Sequence, residues 1–125
     1  MAEVKAQLNS YRQTPRKTRT IVSLIKGKKL QDAFNILDFT IKRPAAPIKK
    51  LIRSAAANAK HLGLQEDSLF VKDVQVNNGG MFKRIRPASR GAAHPIKRRS
   101  SHVTVVLSTE NPKPKKIKKA KAEAK

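Results

Sequence analysis

The chain has 125 residues, with 29 Lys or Arg against 8 Asp or Glu, a formal charge of +21 and no cysteine. The length suits one domain. The missing cysteines exclude disulfide frameworks and thiolate zinc sites, and no apolar run approaches the roughly 20 residues of a membrane-spanning helix.

Residues Val4 to Leu8 alternate apolar and polar and predict a short strand. Thr14-Pro15 predicts a helix start, with Thr14 as N-cap and Pro15 in the first helical position. That helix runs to about Lys26, with Gly27 as its C-cap and Ile21, Val22, Leu24 and Ile25 as its apolar face. A second helix spans roughly Leu30 to Phe39, with Leu30, Ala33, Phe34 and Leu37 at helical spacing. Pro44 and Pro47 punctuate the start of a third helix. Its stripe is Ile48, Leu51, Ile52, Ala55, Ala59 and Leu62, with Lys49, Lys50, Arg53 and Lys60 outside it and Gly63 as its stop. Phe34, Phe39 and Phe70 read as core.

Leu69 to Val76 predicts a strand whose apolar phase changes between Val71 and Val74, the mark of a bulge. Asn77-Asn78-Gly79-Gly80 reads either as a turn or as a bend through which the strand continues. Between Asp73 and Glu110 there is no acidic residue. Met81 to Arg99, within that window, holds seven Lys/Arg, followed by the strand-like run Val103 to Leu107. A long cationic segment between two strands predicts a projecting β-hairpin over about 80–100. Residues 111–125 form a basic tail rich in Lys, Ala and Pro, expected to be disordered unless bound. The expected fold is α+β: three helices packed on a three-stranded antiparallel sheet, with a long protruding β-hairpin and the tail. A single domain over 1–110 includes the hairpin.

The cations are spread along the chain: eight between Glu3 and Asp32, six between Asp38 and Glu66, seven in the hairpin window and seven after Asn111. A chain charged this way repels itself unless an anionic partner is present, and nucleic acid fits that description. The start of the chain, Met1-Ala2-Glu3-Val4-Lys5, has no apolar h-region, so no signal peptide is expected.

Three blocks carry a family resemblance. The first is Thr14-Pro15-Arg16-Lys17-Thr18-Arg19 with Leu24-Ile25-Lys26-Gly27-Lys28-Lys29, and the second is Ser54-Ala55-Ala56-Ala57-Asn58-Ala59. The third comprises Lys83-Arg84-Ile85-Arg86-Pro87, Arg90-Gly91-Ala92 and the run from Ile96 to Val106. Together they resemble the bacterial type of large-subunit ribosomal protein 22, over roughly Val4 to Leu107. The resemblance implies a structural constituent of the large ribosomal subunit that binds 23S-type rRNA and supports subunit assembly. It also implies a hairpin that lines the nascent-peptide exit tunnel. The tip departs from the family pattern, with Ala88-Ser89 after Pro87 and Ala92 after Gly91, so two tip cations are absent.

Candidate rRNA-binding residues follow. On the hairpin they are Lys83, Arg84, Arg86, Arg90, Lys97, Arg98 and Arg99, against the alternative of a flexible solvated loop. At and after the first helix they are Arg12, Arg16, Lys17, Arg19, Lys26, Lys28 and Lys29, with no acid interleaved on that helix for i,i+4 pairing. On the third helix they are Lys49, Arg53 and Asn58, and after the hairpin His102. The expected tip is Pro87, Ala88, Ser89, Arg90, Gly91, Ala92 and Ala93. Phe82 and Tyr11 could stack on a base, but with so few aromatics no stacking platform is expected.

His61, His94 and His102 lack acids or thiols at ligand spacing, so no metal and no cofactor is expected. No phosphate-binding glycine loop, nucleophile elbow or carboxylate pair is evident, so an enzyme is not expected. The expected partners are large-subunit rRNA, neighbouring large-subunit proteins and, near the tip, the nascent polypeptide, in the cytoplasmic ribosome. Neither a membrane nor an obligate homo-oligomer is expected. The rival reading is an architectural, nucleoid-type DNA-binding protein with a basic β-arm.

Overall fold

A computed structural model describes residues 2–110; the tail expectation falls on 111–125, outside the described residues. Strand β1 (Glu3–Tyr11) is followed by helices α1 (Pro15–Ile25), α2 (Leu30–Phe39) and α3 (Ala45–His61). After a 3-10 turn at Glu66–Ser68 come β2 (Phe70–Pro87), a second 3-10 turn at Ser89–Gly91, and β3 (Ala93–Ser108). The sheet has the order β1-β3-β2 with both pairings antiparallel. This is the expected α+β architecture, and the protruding hairpin is β2 with β3.

The helices close over one side of the sheet because their 3-4 stripes are apolar. Ile21 and Ile25 of α1, Ala33 and Leu37 of α2, and Ile48, Ile52, Ala55 and Ala59 of α3 meet Val71, Val103, Val105 and Leu107 in one core. Fully burying an aliphatic side chain stabilises the fold by about 1.5–3 kcal/mol. Ala55, Ala56 and Ala59 are all buried. Their small side chains let α3 approach β1 closely, where Asn58 Nδ2 donates to the Lys5 carbonyl at 3.3 Å.

Three apolar residues leave the expected core. Phe39 is 87% exposed and Leu62 67%, because both lie at or past a helix end where no element covers them; Leu24 is 48% exposed on the rim of the α1 stripe. Phe34 and Phe70 are half-buried at the core margin. The Thr14 hydroxyl makes no capping bond, contrary to expectation. Its carbonyl instead accepts from the Thr18 hydroxyl at 3.1 Å. Gly27 adopts φ +79°, a left-handed conformation that suits glycine, and its N–H donates to the Val71 carbonyl at 2.9 Å.

The bulge expected between Val71 and Val74 is present as a register shift between Val71 and Asp73. Asn77 to Gly80 is strand and not a turn. β2 continues through it, with a second register shift between Asn78 and Met81.

Candidate nucleic-acid interface

β2 and β3 pair from Phe70↔Ser108 out to Pro87↔Ala93, so one ladder runs from the core into open space. The Asn78/Met81 irregularity divides it. Inward of it, the root buries Val71, Val74, Val76, Val103, Val105 and Leu107. Outward of it, every residue from Met81 to Arg99 is exposed except half-buried Ala88 and Ile96. Seven residues from Met81 to Pro87 at about 3.3 Å each give an arm on the order of 20 Å long before its tip.

The division has a local cause at Gly79. A Cβ there would lie 2.5 Å from Ser100 Oγ and 3.1 Å from the Ser100 carbonyl carbon. Any larger residue would have to displace the Ser100 hydroxyl, which donates to the Gly80 carbonyl, and press on the Ser100 backbone. The outer edge of β2 is covered along the root and bare along the arm. On the root, Val71 N–H donates to the Lys28 carbonyl at 2.9 Å. The Arg19 guanidinium forks onto the Val76 carbonyl at 3.0 and 3.3 Å.

Antiparallel register assigns the arm's faces. Met81/Arg99, Lys83/Lys97 and Ile85/Pro95 share one face, and Phe82/Arg98, Arg84/Ile96 and Arg86/His94 the other. Three cations project on each side: Lys83, Lys97 and Arg99, then Arg84, Arg86 and Arg98. Neither face can join an apolar core. Lys83 sits directly opposite Lys97, and like charges in that position destabilise a ladder. At the tip, Ala88 N–H donates to the Ala92 carbonyl at 2.8 Å. Arg90 (φ 59°) and Gly91 (φ 71°) are both left-handed. Arg90 therefore holds a backbone conformation that costs a non-glycine residue about 1–2 kcal/mol.

Where the arm leaves the body, a cleft of about 420 Å³ opens between it, the β1–α1 loop and the segment before α3. Its cations are Arg12, Lys17, Arg43, Arg84, Lys97, Arg98 and Arg99, and no acid lines it. Phe82 forms part of the wall, with the Arg12 guanidinium carbon 5.2 Å and that of Arg84 6.0 Å from its ring centroid. The cleft brings together residues distant in sequence. Arg43 was not a sequence candidate. The available signal was its position beside Lys42, immediately before the Pro44 that starts α3.

Besides Arg12 and Arg84 at Phe82, five candidates have partners elsewhere in the chain. Arg19 clamps Val76, and Lys26 Nζ lies 2.6 Å from Asp73 Oδ1 at the first bulge. Lys49 pairs with Asp38, and Asn58 ties α3 to β1. His102 Nδ1 accepts from Ser10 N–H at 2.9 Å, which holds the strained Ser10 backbone at φ 55°. The ammonium of Lys26, with hydrogen bonds from Gln75 and Val74 N–H, holds the Asp73 carboxyl below its ordinary pKa. Arg16, Lys17, Lys28, Lys29 and Arg53 are exposed.

Fold and charge together define a class: a basic α+β protein with an exposed hairpin arm that is cationic on both faces. The sequence profile of the family described as ribosomal protein L22p/L17e matches residues 6–108. The chain is also 42% identical over 112 residues to the large ribosomal subunit protein uL22 of Lactobacillus helveticus (strain DPC 4571), covering 89% of this chain and 96% of that relative. The chain belongs to the uL22 (L22p/L17e) family of ribosomal proteins, as its three sequence blocks suggest.

Proposed function

We propose that the protein is a structural, non-catalytic constituent of the large ribosomal subunit in the cytoplasm, binding 23S-type rRNA as one domain over 1–110 and supporting subunit assembly. The observation that carries this reading is the two-faced cationic arm. A ribbon with three Lys/Arg on each side and no acid suits a crevice walled by phosphate on both sides better than a single flat surface. Arg84, Arg86, Arg98 and Arg99 can engage phosphates through two parallel hydrogen bonds each, and Lys83 and Lys97 as point charges.

The exposed cations of α1 and its following loop, with Arg12 and Arg43 at the cleft, form a second rRNA-facing region. Arg53 adds a contact on α3. Arg19, Lys26, Lys49, Asn58 and His102 contribute mainly by holding the body together. The poorly charged tip, with Arg90 its sole Lys/Arg, lies against the nascent chain in the exit tunnel. Neighbouring large-subunit proteins meet the body, and no second copy of the chain is needed.

Affinity for large-subunit rRNA fragments, measured across a salt series with duplex DNA as control, tests this. About ten engaged phosphates give a log-log salt slope of roughly −7 to −9. A nearly salt-independent affinity, or equal preference for duplex DNA at matched salt, would overturn it.

A further inference from the structure

We infer that the cleft at the base of the arm is a site for one unpaired nucleotide, with the base stacked on Phe82 and the flanking phosphates held by the surrounding cations. The inference rests on the rRNA-binding reading above and deepens it from phosphate contact to base contact.

Phosphate neutralisation alone would not need an aromatic ring at this place. The chain is poor in aromatics, with four Phe and one Tyr. Yet Phe82 is half-exposed, at 51%, in the wall of a concavity lined by seven Lys or Arg and no acid. An exposed phenyl ring costs free energy in water unless something covers it. The guanidinium carbons of Arg12 and Arg84 lie over the ring, 5.2 and 6.0 Å from its centroid, so an incoming base replaces one of them on the phenyl face or stacks on the guanidinium itself.

Guanidinium planes and phenyl rings are the two surfaces on which unstacked RNA bases are received. Grouped in one cleft, they form a stacking platform. Arg98 pairs across the ladder with Phe82, and Arg43 reaches the cleft from the opposite side, so phosphates on either side of a splayed base meet a cation. Duplex RNA presents no free base face at such a cleft, so the ligand is a single-stranded or bulged nucleotide and not a paired one.

The test uses the full chain and two short single-stranded probes: an oligouridylate and the same oligonucleotide with abasic positions, which keeps every phosphate and removes bases. Wild type binds the abasic probe about 5- to 150-fold more weakly, the range for one lost aromatic stack. Phe82→Leu keeps apolar bulk but loses the ring and binds both probes alike, while Phe82→Trp keeps the preference. Lys97→Gln weakens both probes together and flattens the salt slope by about 0.7. Circular dichroism checks that each variant keeps its helices.

Equal binding of the two probes by wild type, or an unchanged preference in Phe82→Leu, overturns the base site. If that happens while the protein still binds large-subunit rRNA with a steep salt slope, the rRNA reading stands without it. If the probes are discriminated but large-subunit rRNA is not bound, the rRNA reading falls and the base site remains.

Discussion

The two halves of the β2–β3 hairpin share one ladder but answer to different partners. In the root, valines and a leucine from both strands face the helices, and the outer edge of β2 is covered by Lys28 and Arg19. In the arm the backbone pairing continues, but the side chains are cationic on both faces and the edge is bare. Backbone hydrogen bonds can therefore propagate a strand beyond the core, while side-chain chemistry decides what it rests on. The root is held by burial within the chain; the arm has no such cover among the described residues.

The largest expected effect separates the two halves outright. Replacing Met81 to Arg99 by a short turn leaves cooperative unfolding and the helical circular dichroism signal intact. It also flattens the log-log salt slope of rRNA binding by roughly 5–6, since seven cations leave at about 0.7–0.9 each. Loss of cooperative unfolding in that deletant would make the arm part of the core. Leu107→Ala in the root does the reverse. It lowers stability by about 2–5 kcal/mol in a denaturant titration and leaves the salt slope of the folded fraction unchanged.

Arg19 sharpens the boundary, because it is a cation that serves the root. Arg19→Ala strips the fork from the Val76 carbonyl and lowers stability by about 1–2 kcal/mol. Arg19→Lys recovers only part of that, since an ammonium cannot fork. A change in salt slope of about 1 with no change in stability would return Arg19 to the RNA-binding set. Gly79→Ala tests the junction itself. The added methyl displaces the Ser100 hydroxyl and presses on its backbone, at a cost of about 1–2 kcal/mol in thermal unfolding.

The smallest effect is acid sensitivity at the first bulge. Asp73 is more acidic in the folded chain than unfolded, so its contribution is present at neutral pH, shrinks through the ordinary carboxylate range and is gone below its depressed pKa. Asp73→Asn removes that acid-side loss from a stability–pH profile.

Much of the root and arm was legible from residues alone. Leu30 to Phe39 is helical as its spacing implied, and the phase change between Val71 and Val74 marked a real bulge. The arm declared itself by the acid-free window. What stayed hidden was tertiary. Helical spacing assigns Leu24 and Leu62 to a stripe but cannot say where the covering element ends, and nothing in the run around Phe39 shows that it projects into solvent. Cationic character marked Lys26 and Lys49 as ligands for phosphate, yet each finds a carboxylate brought near only by folding. Arg43 joins the cleft because α3 starts beside the arm, a juxtaposition that sequence distance conceals.

The Lys83–Lys97 rung gives ionic strength two opposed effects. In the free protein, added salt screens that repulsion and tightens the arm, because the Debye length shrinks from about 10 Å at 0.1 M. In the proposed rRNA complex, the same salt would compete for phosphate and loosen the grip. A partner's phosphates can do for the rung what salt does, without that competition. If the rRNA-binding reading holds, the arm gains its firmest shape against phosphate, and the relief of this one rung is small beside the steep salt dependence of the complex.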